Sequence, residues 1–182
     1  MLTITIPATE AFDDAKGEFV YTKEQTLQLE HSLLSISKWE SKWCKPFLEA
    51  KRDKTSEEVI DYIKCMTLNK NVSDDVYHCL TQENISAIND YIGAPMTATY
   101  FSNAEKGKKN SEQITSELVY YWMIALNIPF DPCQKWHINR LLTLIRVCNV
   151  KNQPPKKMSK RATANQYAQL NAARRQKFNS KG

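Results

Sequence analysis

The first 22 residues alternate between apolar and polar side chains. Residues 2–6 read LTITI, the period-two pattern of a strand with one buried face. Residues 18–22 read EFVYT and form a second candidate strand, and Asp13, Asp14 and Gly17 supply turn chemistry between the two. The pattern predicts a small β-hairpin over residues 2–22. Two strands alone are marginal in water, so this hairpin needs helices or a partner against which to pack.

From Thr22 onward the apolar residues recur at helical spacing. The first run predicts one long amphipathic helix that ends before Pro46 and carries Leu29, Leu33, Ile36, Trp39 and Trp43 on one face. Later helices are predicted from their start signals, which are a capping box of Thr55 with Glu58 and starts at Ser73, Thr81, Ser111, Asp131 and Ser159. Pro132 strengthens the signal at Asp131 because proline favours the first helical position.

These patterns predict a mainly α protein, a helical bundle of about five to six helices with a small N-terminal β-hairpin and a basic C-terminal arm. Residues 1–150 are long enough to bury a core of their own, and the hairpin over residues 2–22 belongs to this body. Residues 102–110 are polar without periodicity and are predicted to form an exposed loop. Pro154 and Pro155 predict a stiff spacer before the arm, residues 151–182, which is expected to be flexible or helical on binding.

Charge is divided unevenly between these two parts. The last 32 residues carry nine Lys and Arg and no Asp or Glu, whereas the first 150 carry 16 basic and all 20 acidic residues. A body of net charge −4 is therefore joined to an arm of net charge +9. The arm is expected to bind an acidic partner.

Composition narrows the class of protein. No apolar run approaches the roughly 18 residues of a membrane span, and the start of the chain lacks the pattern of a signal peptide. The five cysteines are odd in number and irregular in spacing, which favours free thiols in a reducing compartment; they are Cys44, Cys65, Cys79, Cys133 and Cys148. We therefore expect no membrane association.

Metal binding and catalysis find little support in the sequence. Cys133 with His137, and His78 with Cys79, are zinc-ligand residue types, but their spacings match no standard zinc module and no Cys-x-x-Cys pair exists. There is no nucleophile elbow, phosphate loop or metalloprotease motif. His31 is expected to be a solvated or half-buried imidazole. We therefore expect that the protein binds no metal and no cofactor, has no catalytic residue and is not an enzyme.

Two groups of residues are candidates for binding a partner. The aromatic candidates are Trp39, Trp43, Tyr120 and Tyr121; because Tyr120, Tyr121 and Trp122 are consecutive on one helix, they cannot all face one core. The basic candidates lie in the arm and are Lys156, Lys157, Lys160, Arg161, Arg174 and Arg175. The arm could contact nucleic acid, dock on an acidic protein or remain a soluble tail. We rank nucleic acid below the other two because the body carries the opposite charge and no known nucleic-acid-binding motif.

Three stretches of the chain resemble small morphogenesis proteins of tailed bacteriophages, in particular those of the tail assembly chaperone type. They are residues 31–48 (HSLLSISKWESKWCKPFL), residues 127–146 (NIPFD followed by KWHINRLLTLIR), and the ending LNAARR with a terminal KG. None of these stretches is a catalytic signature. The resemblance implies a predominantly helical, non-catalytic protein that binds the tape measure and tail tube proteins while the tail tube polymerises in the host bacterial cytoplasm.

Two other classes of protein remain open. One is a permanent virion component such as a connector, neck or minor tail protein, in which the hairpin and the arm become ordered on assembly. The other is a small phage regulator that binds nucleic acid. The acidic body also leaves self-association open, with the arm of one copy bound to another copy.

Overall fold

The computed structural model describes residues 1–13, 17–49, 53–101, 113–152 and 160–178, which form four strands and eight helices. The elements are β1 (Leu2–Ile6), β2 (Thr9–Asp13), β3 (Glu18–Thr22), β4 (Gln25–Leu29), α1 (Leu33–Trp43), α2 (Ser56–Met66), α3 (Asp74–His78), α4 (Gln82–Gly93), α5 (Ser116–Ala125), α6 (Phe130–Cys133), α7 (Ile138–Asn152) and α8 (Lys160–Phe178). The predicted mainly α class with a small antiparallel sheet is confirmed. The helices are more numerous than predicted.

The pairing of the strands differs from the predicted hairpin. β1 pairs antiparallel with β4, and β2 pairs antiparallel with β3, so that the second pair is nested between the strands of the first. The prediction that residues 2–6 pair with residues 18–22 is therefore wrong. Pro7 interrupts the first strand, since proline cannot donate to a ladder, and a new strand begins at Thr9. Ile4 lies opposite Leu27, and both side chains are buried.

Residues 25–29 were predicted to belong to the first helix, and the structure places them in β4. Their sequence QTLQL alternates, with Leu27 and Leu29 fully buried between exposed or half-buried neighbours. The helix α1 begins only at Leu33, after Ser32, whose hydroxyl accepts the N–H of Ser35 at 3.3 Å. Leu29 fitted both the helical and the alternating pattern, which is why the helix was predicted to start too early.

Three capped helix starts can be compared with their predicted positions. The predicted capping box of Thr55 with Glu58 is confirmed, and so is the predicted helix start at Thr81, where the structure also forms a capping box with Asn84. The helix predicted from Ser111 begins instead at Ser116, with the Thr115 hydroxyl accepting the N–H of Leu118. Ser159, predicted to cap the last helix, lies outside the described residues, as do the loop at residues 102–110 and the spacer at Pro154 and Pro155.

The helix predicted to begin at Asp131 is also corrected. Asp131 has an extended backbone, as residues before proline commonly do, and the chain makes only the short helix α6 there. The long helix α7 begins at Ile138, where the carbonyl oxygen of His137 accepts the N–H groups of Arg140 and Leu141. The residues around Asp131 that predicted the start of a long helix therefore lie in a short segment before it.

One hydrophobic core joins the sheet to the helices. Eleven apolar side chains in it are fully buried: Ile6, Leu27, Leu29, Leu33, Ile36, Trp39, Met66, Val119, Met123, Ile138 and Leu141. They come from β1, β4 and four helices that are far apart in the sequence. The outer edge of β4 is bonded to the end of α2, since Glu30 N–H donates to the Met66 carbonyl at 2.9 Å and Leu68 N–H donates to the Gln28 carbonyl at 2.8 Å.

The chain divides into two units, Met1–Asn149 and Val150–Gly182. The first unit contains the sheet, the core and the helices up to most of α7. The second contains the last residues of α7 and the 19-residue helix α8. Among the described residues, no helix combines the length and the apolar character needed to cross a bilayer.

Candidate interaction surfaces

The predicted aromatic residues fall into two groups, one inside the molecule and one on its surface. Trp39 is only 2% exposed; its ring stacks on Trp43 and meets Phe47 edge to face, and its Nε1–H donates to the Glu58 carbonyl at 2.9 Å. The prediction that Trp39 lies on a surface is therefore wrong, because it closes the end of the core at the junction of α1 and α2. Trp43 is half-buried, and its Nε1–H donates to Asp61 at 2.8 Å.

The aromatic residues of α5 are the ones that reach the surface. Tyr120 is half-buried, donates its hydroxyl to Gln134 Oε1 at 3.3 Å and meets Phe130 edge to face, and burial raises the pKa of its hydroxyl. Tyr121 is 62% exposed, as expected for one of three consecutive aromatic residues on a helix with a single buried side. Of the four predicted aromatic residues, Tyr121 is therefore the one whose side chain is mostly exposed.

Three buried carboxylates hold α1 to its neighbours. Glu40 accepts the N–H of Phe47 at 2.8 Å and the N–H of Ser116 at 2.7 Å, so one side chain joins α1 to the following turn and to the start of α5. The Glu58 carboxylate pairs with the Lys45 ammonium group at 2.7 Å. The Asp61 carboxylate accepts hydrogen bonds from a lysine ammonium group and from an indole N–H. Each charge is compensated by donors, as burial of a charge requires.

Two histidines form the centre of a second buried polar group. The rings of His31 and His137 lie edge to face with centroids 5.0 Å apart. His31 Nδ1 is hydrogen-bonded to the Tyr62 hydroxyl, and His137 Nε2–H donates to the Tyr91 carbonyl at 2.9 Å. The predicted solvated or half-buried state of His31 is wrong, because it is 3% exposed. Its carbonyl oxygen accepts the N–H of Ile138, which ties the end of the sheet to α7.

Burial disfavours the charged form of both histidines. Burial, with smaller contributions from nearby His137 and Lys54, lowers the pKa of His31 to about 3. Burial also lowers the pKa of His137, while the Tyr91 carbonyl and Glu30 oppose the shift. Burial raises the pKa of Tyr62 well above its usual value. The hydrogen bonds of the pair connect the segment after β4 to α2 through Tyr62, and the residue before α7 to α4 through Tyr91.

The metal candidates named from the sequence lie in different surroundings. Cys133 is buried in α6 and His137 is engaged with Tyr91, whereas His78 is exposed at the end of α3. Within the described ranges, no three His, Cys, Asp or Glu side chains are placed to hold a metal ion together. In the same ranges, every buried side-chain nitrogen or oxygen has a hydrogen-bond partner.

The basic candidates that the structure describes lie along α8. Arg161, Arg174 and Arg175 are all exposed, and α8 begins at Lys160. Lys156 and Lys157 lie outside the described residues. Both α8 and the described part of the chain before it, from residue 132, lack acidic side chains.

The basic region begins within the first unit, before the arm. Residues 132–182 contain 12 Lys and Arg and no Asp or Glu, whereas residues 1–131 contain 13 basic and all 20 acidic residues. The guanidinium carbon of Arg140, on α7, lies 4.2 Å from the ring centroid of Trp136, which is a cation–π contact. Arg146 stacks on Phe101 at 4.0 Å, beside a groove of about 320 Å³. The charge boundary thus lies at Asp131.

Comparisons with protein-family models, with curated proteins and with solved structures return no match for this chain.

Sequence reasoning missed the exposed apolar residues Ile124 and Phe130, which are 63% and 42% exposed. A signal for them exists, because residues 118–125 read LVYYWMIA and a helix with no polar side must expose apolar groups wherever it is uncovered. The buried roles of Glu40 and His137 had no such signal. A polar residue on a helix reads as solvent-facing until its tertiary neighbours are known.

Proposed function

We propose that this chain is a non-catalytic protein of bacteriophage tail morphogenesis, a tail assembly chaperone that binds the tape measure and tail tube proteins in the host cytoplasm. The observation that carries the proposal is the presence of two exposed, chemically different surfaces on one small protein. One is the apolar outer side of α5, where Tyr121 and Ile124 are both more than half exposed. The other is the basic helix α8. Exposed apolar patches of this kind mark binding sites.

The packing of two stretches that resemble phage morphogenesis proteins supports this proposal. Residues 31–48 form α1 with its flanking turns, and residues 127–146 form α6 and most of α7. They lie about 100 residues apart in sequence, yet Ser32 and His137 form an antiparallel bridge and Ile138 N–H donates to the His31 carbonyl at 2.7 Å. The two stretches that carry the resemblance are therefore in direct backbone contact in this fold.

The use of the buried polar groups also supports a non-catalytic role. The carboxylates of Glu40, Glu58 and Asp61 are occupied by backbone, lysine and indole donors. The side chains of His31 and Tyr62 are occupied with each other. These residue types often carry acid–base chemistry, and here each one joins elements of the fold.

Affinity purification from infected cells tests the proposal. The tagged full-length chain should recover the tape measure and tail tube proteins, as identified by mass spectrometry. A variant carrying Arg174→Glu and Arg175→Glu on α8 should lose most of this recovery, because the basic surface is reversed while the core is untouched. The matched control is Lys70→Glu, a charge reversal at an exposed position of the first unit, which should recover both proteins at the wild-type level.

Recovery of neither tail protein by the wild-type chain would contradict the proposal. Equal recovery by the α8 variant and by the wild type would remove α8 from the binding surface.

A second candidate, a permanent virion component, is favoured by the β2–β3 ribbon. This ribbon is a separate two-stranded sheet, and its register sets Phe12 opposite Phe19 and Ala11 opposite Val20. Two-stranded ribbons are marginal alone and can be stabilised by adding a strand from a partner. Stoichiometric presence of the chain in purified virions would favour this candidate over a chaperone.

A further inference from the structure

The outer side of α5 carries an apolar patch, which we call the α5 patch and define as Tyr121, Ile124 and Phe130. Their side chains are 62%, 63% and 42% exposed, whereas Val119 and Met123 on the inner side of the same helix are fully buried. Phe130 belongs to the patch because its ring meets that of Tyr120, on the turn of α5 before Ile124. A helix that is apolar on every side is normally covered on every side. This patch therefore calls for a covering partner.

Acidic side chains lie at both ends of the α5 patch. Glu117 is exposed one helical turn before Tyr121, and Asp131 directly follows Phe130 with its side chain 65% exposed. The Asp131 carboxylate pairs with Lys135 at 2.8 Å, and an exposed pair of this type is weak enough to be exchanged for another cation. A partner that matches the patch needs an apolar stripe with positive charge around it.

Helix α8 carries a stripe of that description. Tyr167, Leu170 and Phe178 are 63%, 48% and 73% exposed, and their spacing of three and eight residues puts them on one side of the helix. We call them the α8 stripe. Arg174 lies on the same side between Leu170 and Phe178, and Arg175 is exposed next to it. The helix is rich in Ala and Gln, and such a helix is marginal without a packing partner.

We propose that the α8 stripe of one copy docks on the α5 patch of a second copy. Each surface offers three apolar side chains, and the arginines of one meet the carboxylates at the rim of the other. Residues 132–182 hold 12 basic and no acidic side chains, and residues 1–131 hold all 20 acidic ones, so the two regions of different copies attract each other. Pairing of α8 with α8 sets like charges together and is disfavoured.

The contact has a direction, which decides the form of the assembly. Each copy donates an α8 stripe and accepts another at its α5 patch, so the interface is head-to-tail and not two-fold symmetric. Such an interface forms rings if the rotation closes and open chains if it does not. This inference concerns the purified chain alone and does not rest on its proposed role in tail assembly.

Two single substitutions separate the two halves of the contact. Ile124→Glu blocks the acceptor, and Leu170→Glu blocks the donor; both residues are exposed, so the core is left intact. Leu68→Glu, at a residue that is 54% exposed and outside both surfaces, is the matched control. The assembly state of each full-length protein is measured by sedimentation velocity over a range of salt concentrations, with circular dichroism to verify that each variant is folded.

The proposal predicts a specific set of results. The wild type and Leu68→Glu should assemble beyond the dimer at low salt and dissociate as salt rises, and each blocked variant alone should associate about tenfold or more weakly. An equimolar mixture of the two blocked variants should form a 1:1 heterodimer and nothing larger, since one donor and one intact acceptor remain.

Three results would overturn the proposal. They are a wild type that stays monomeric at every salt concentration, a mixture of blocked variants that stays monomeric, and blocked variants that assemble like the wild type. The outcome is independent of the infected-cell purification, because a chain that self-associates without recovering tail proteins fails only as a chaperone.

Discussion

Glu40 on α1 accepts the backbone N–H of Ser116, the first residue of α5, at 2.7 Å, and its other carboxylate oxygen accepts the N–H of Phe47 at 2.8 Å. These contacts join positions that are 76 and seven residues apart. A single buried side chain therefore joins α1 both to the turn that follows it and to the start of α5, which carries the exposed α5 patch.

Replacing this carboxylate should be costly. Glu40→Ala leaves two buried N–H groups without an acceptor, and we expect a loss of about 2–5 kcal/mol in the free energy of unfolding. Urea denaturation followed by circular dichroism measures it. Asp90→Ala, an acidic residue that is exposed on α4, is the control and should change stability by no more than about 0.5 kcal/mol. A loss of stability for Glu40→Ala as small as that of the control would show that the two hydrogen bonds of Glu40 do not stabilise the fold.

Stability should fall as the solution is acidified below pH 6.5. The folded-state pKa of His31 is lowered to about 3 and that of His137 is also lowered, so the unfolded chain takes up protons first. The contribution of His31 is complete above the unfolded pKa of about 6.5 and is lost as pH falls toward about 3, with a slope of up to about 1.4 kcal/mol per pH unit; His137 acts in the same direction.

A variant and its control can isolate this effect. His31→Gln should flatten the dependence of the unfolding free energy on pH between about 7 and 5, whereas His78→Gln, at an exposed histidine, should keep the wild-type slope. The measurement is the urea midpoint at each pH. A slope for His31→Gln equal to that of the wild type would remove His31 as the source.

The aromatic residues should separate into structural and surface residues. Trp39→Ala opens a cavity at the end of the core and removes the hydrogen bond to the Glu58 carbonyl, so we expect a loss of about 3–5 kcal/mol. Tyr121→Ala should change stability by no more than about 0.5 kcal/mol, because the side chain is 62% exposed. Thermal and chemical denaturation compare the two variants. Similar losses for both would contradict the assignment of Tyr121 to a free surface.

Removing the arm should leave the first unit folded. The buried core ends at Ile145, and the large apolar side chains of α8 are exposed, so deletion of residues 153–182 takes nothing from the core. At concentrations where the full chain is monomeric, the truncated protein should have a melting temperature within about 2 °C of the full chain. Circular dichroism should lose only the helical signal of α8. An unfolded truncation product would contradict the division of the chain at the end of α7.

The sequence predicts the fold class and some local features well because these depend on near neighbours. The capping box at Thr55 and Glu58 is one example, since its partners are three residues apart. The pairing of β1 with β4 and the extended backbone at Asp131 depended on distant residues, and both were predicted wrongly. In each case the local sequence pattern was present, but contacts with residues distant in the sequence led to a different structure.

The candidate surfaces show the same limit. The basic arm can be predicted from the charge pattern alone. The sequence did not distinguish buried Trp39 from exposed Tyr121, and the structure did. Helical spacing gives the angle between neighbouring residues, but it does not say which side of the helix meets the core. Ile124 was overlooked for this reason.

The inventory of proteins in purified virions tests the central proposal most directly, because an assembly chaperone leaves the tail when it is complete. Quantitative mass spectrometry should detect the chain in lysates of infected cells, together with tape measure and tail tube proteins, and should find it absent from purified virions. Its presence in virions at a fixed ratio to the tail tube protein would contradict the chaperone role and favour a permanent structural component.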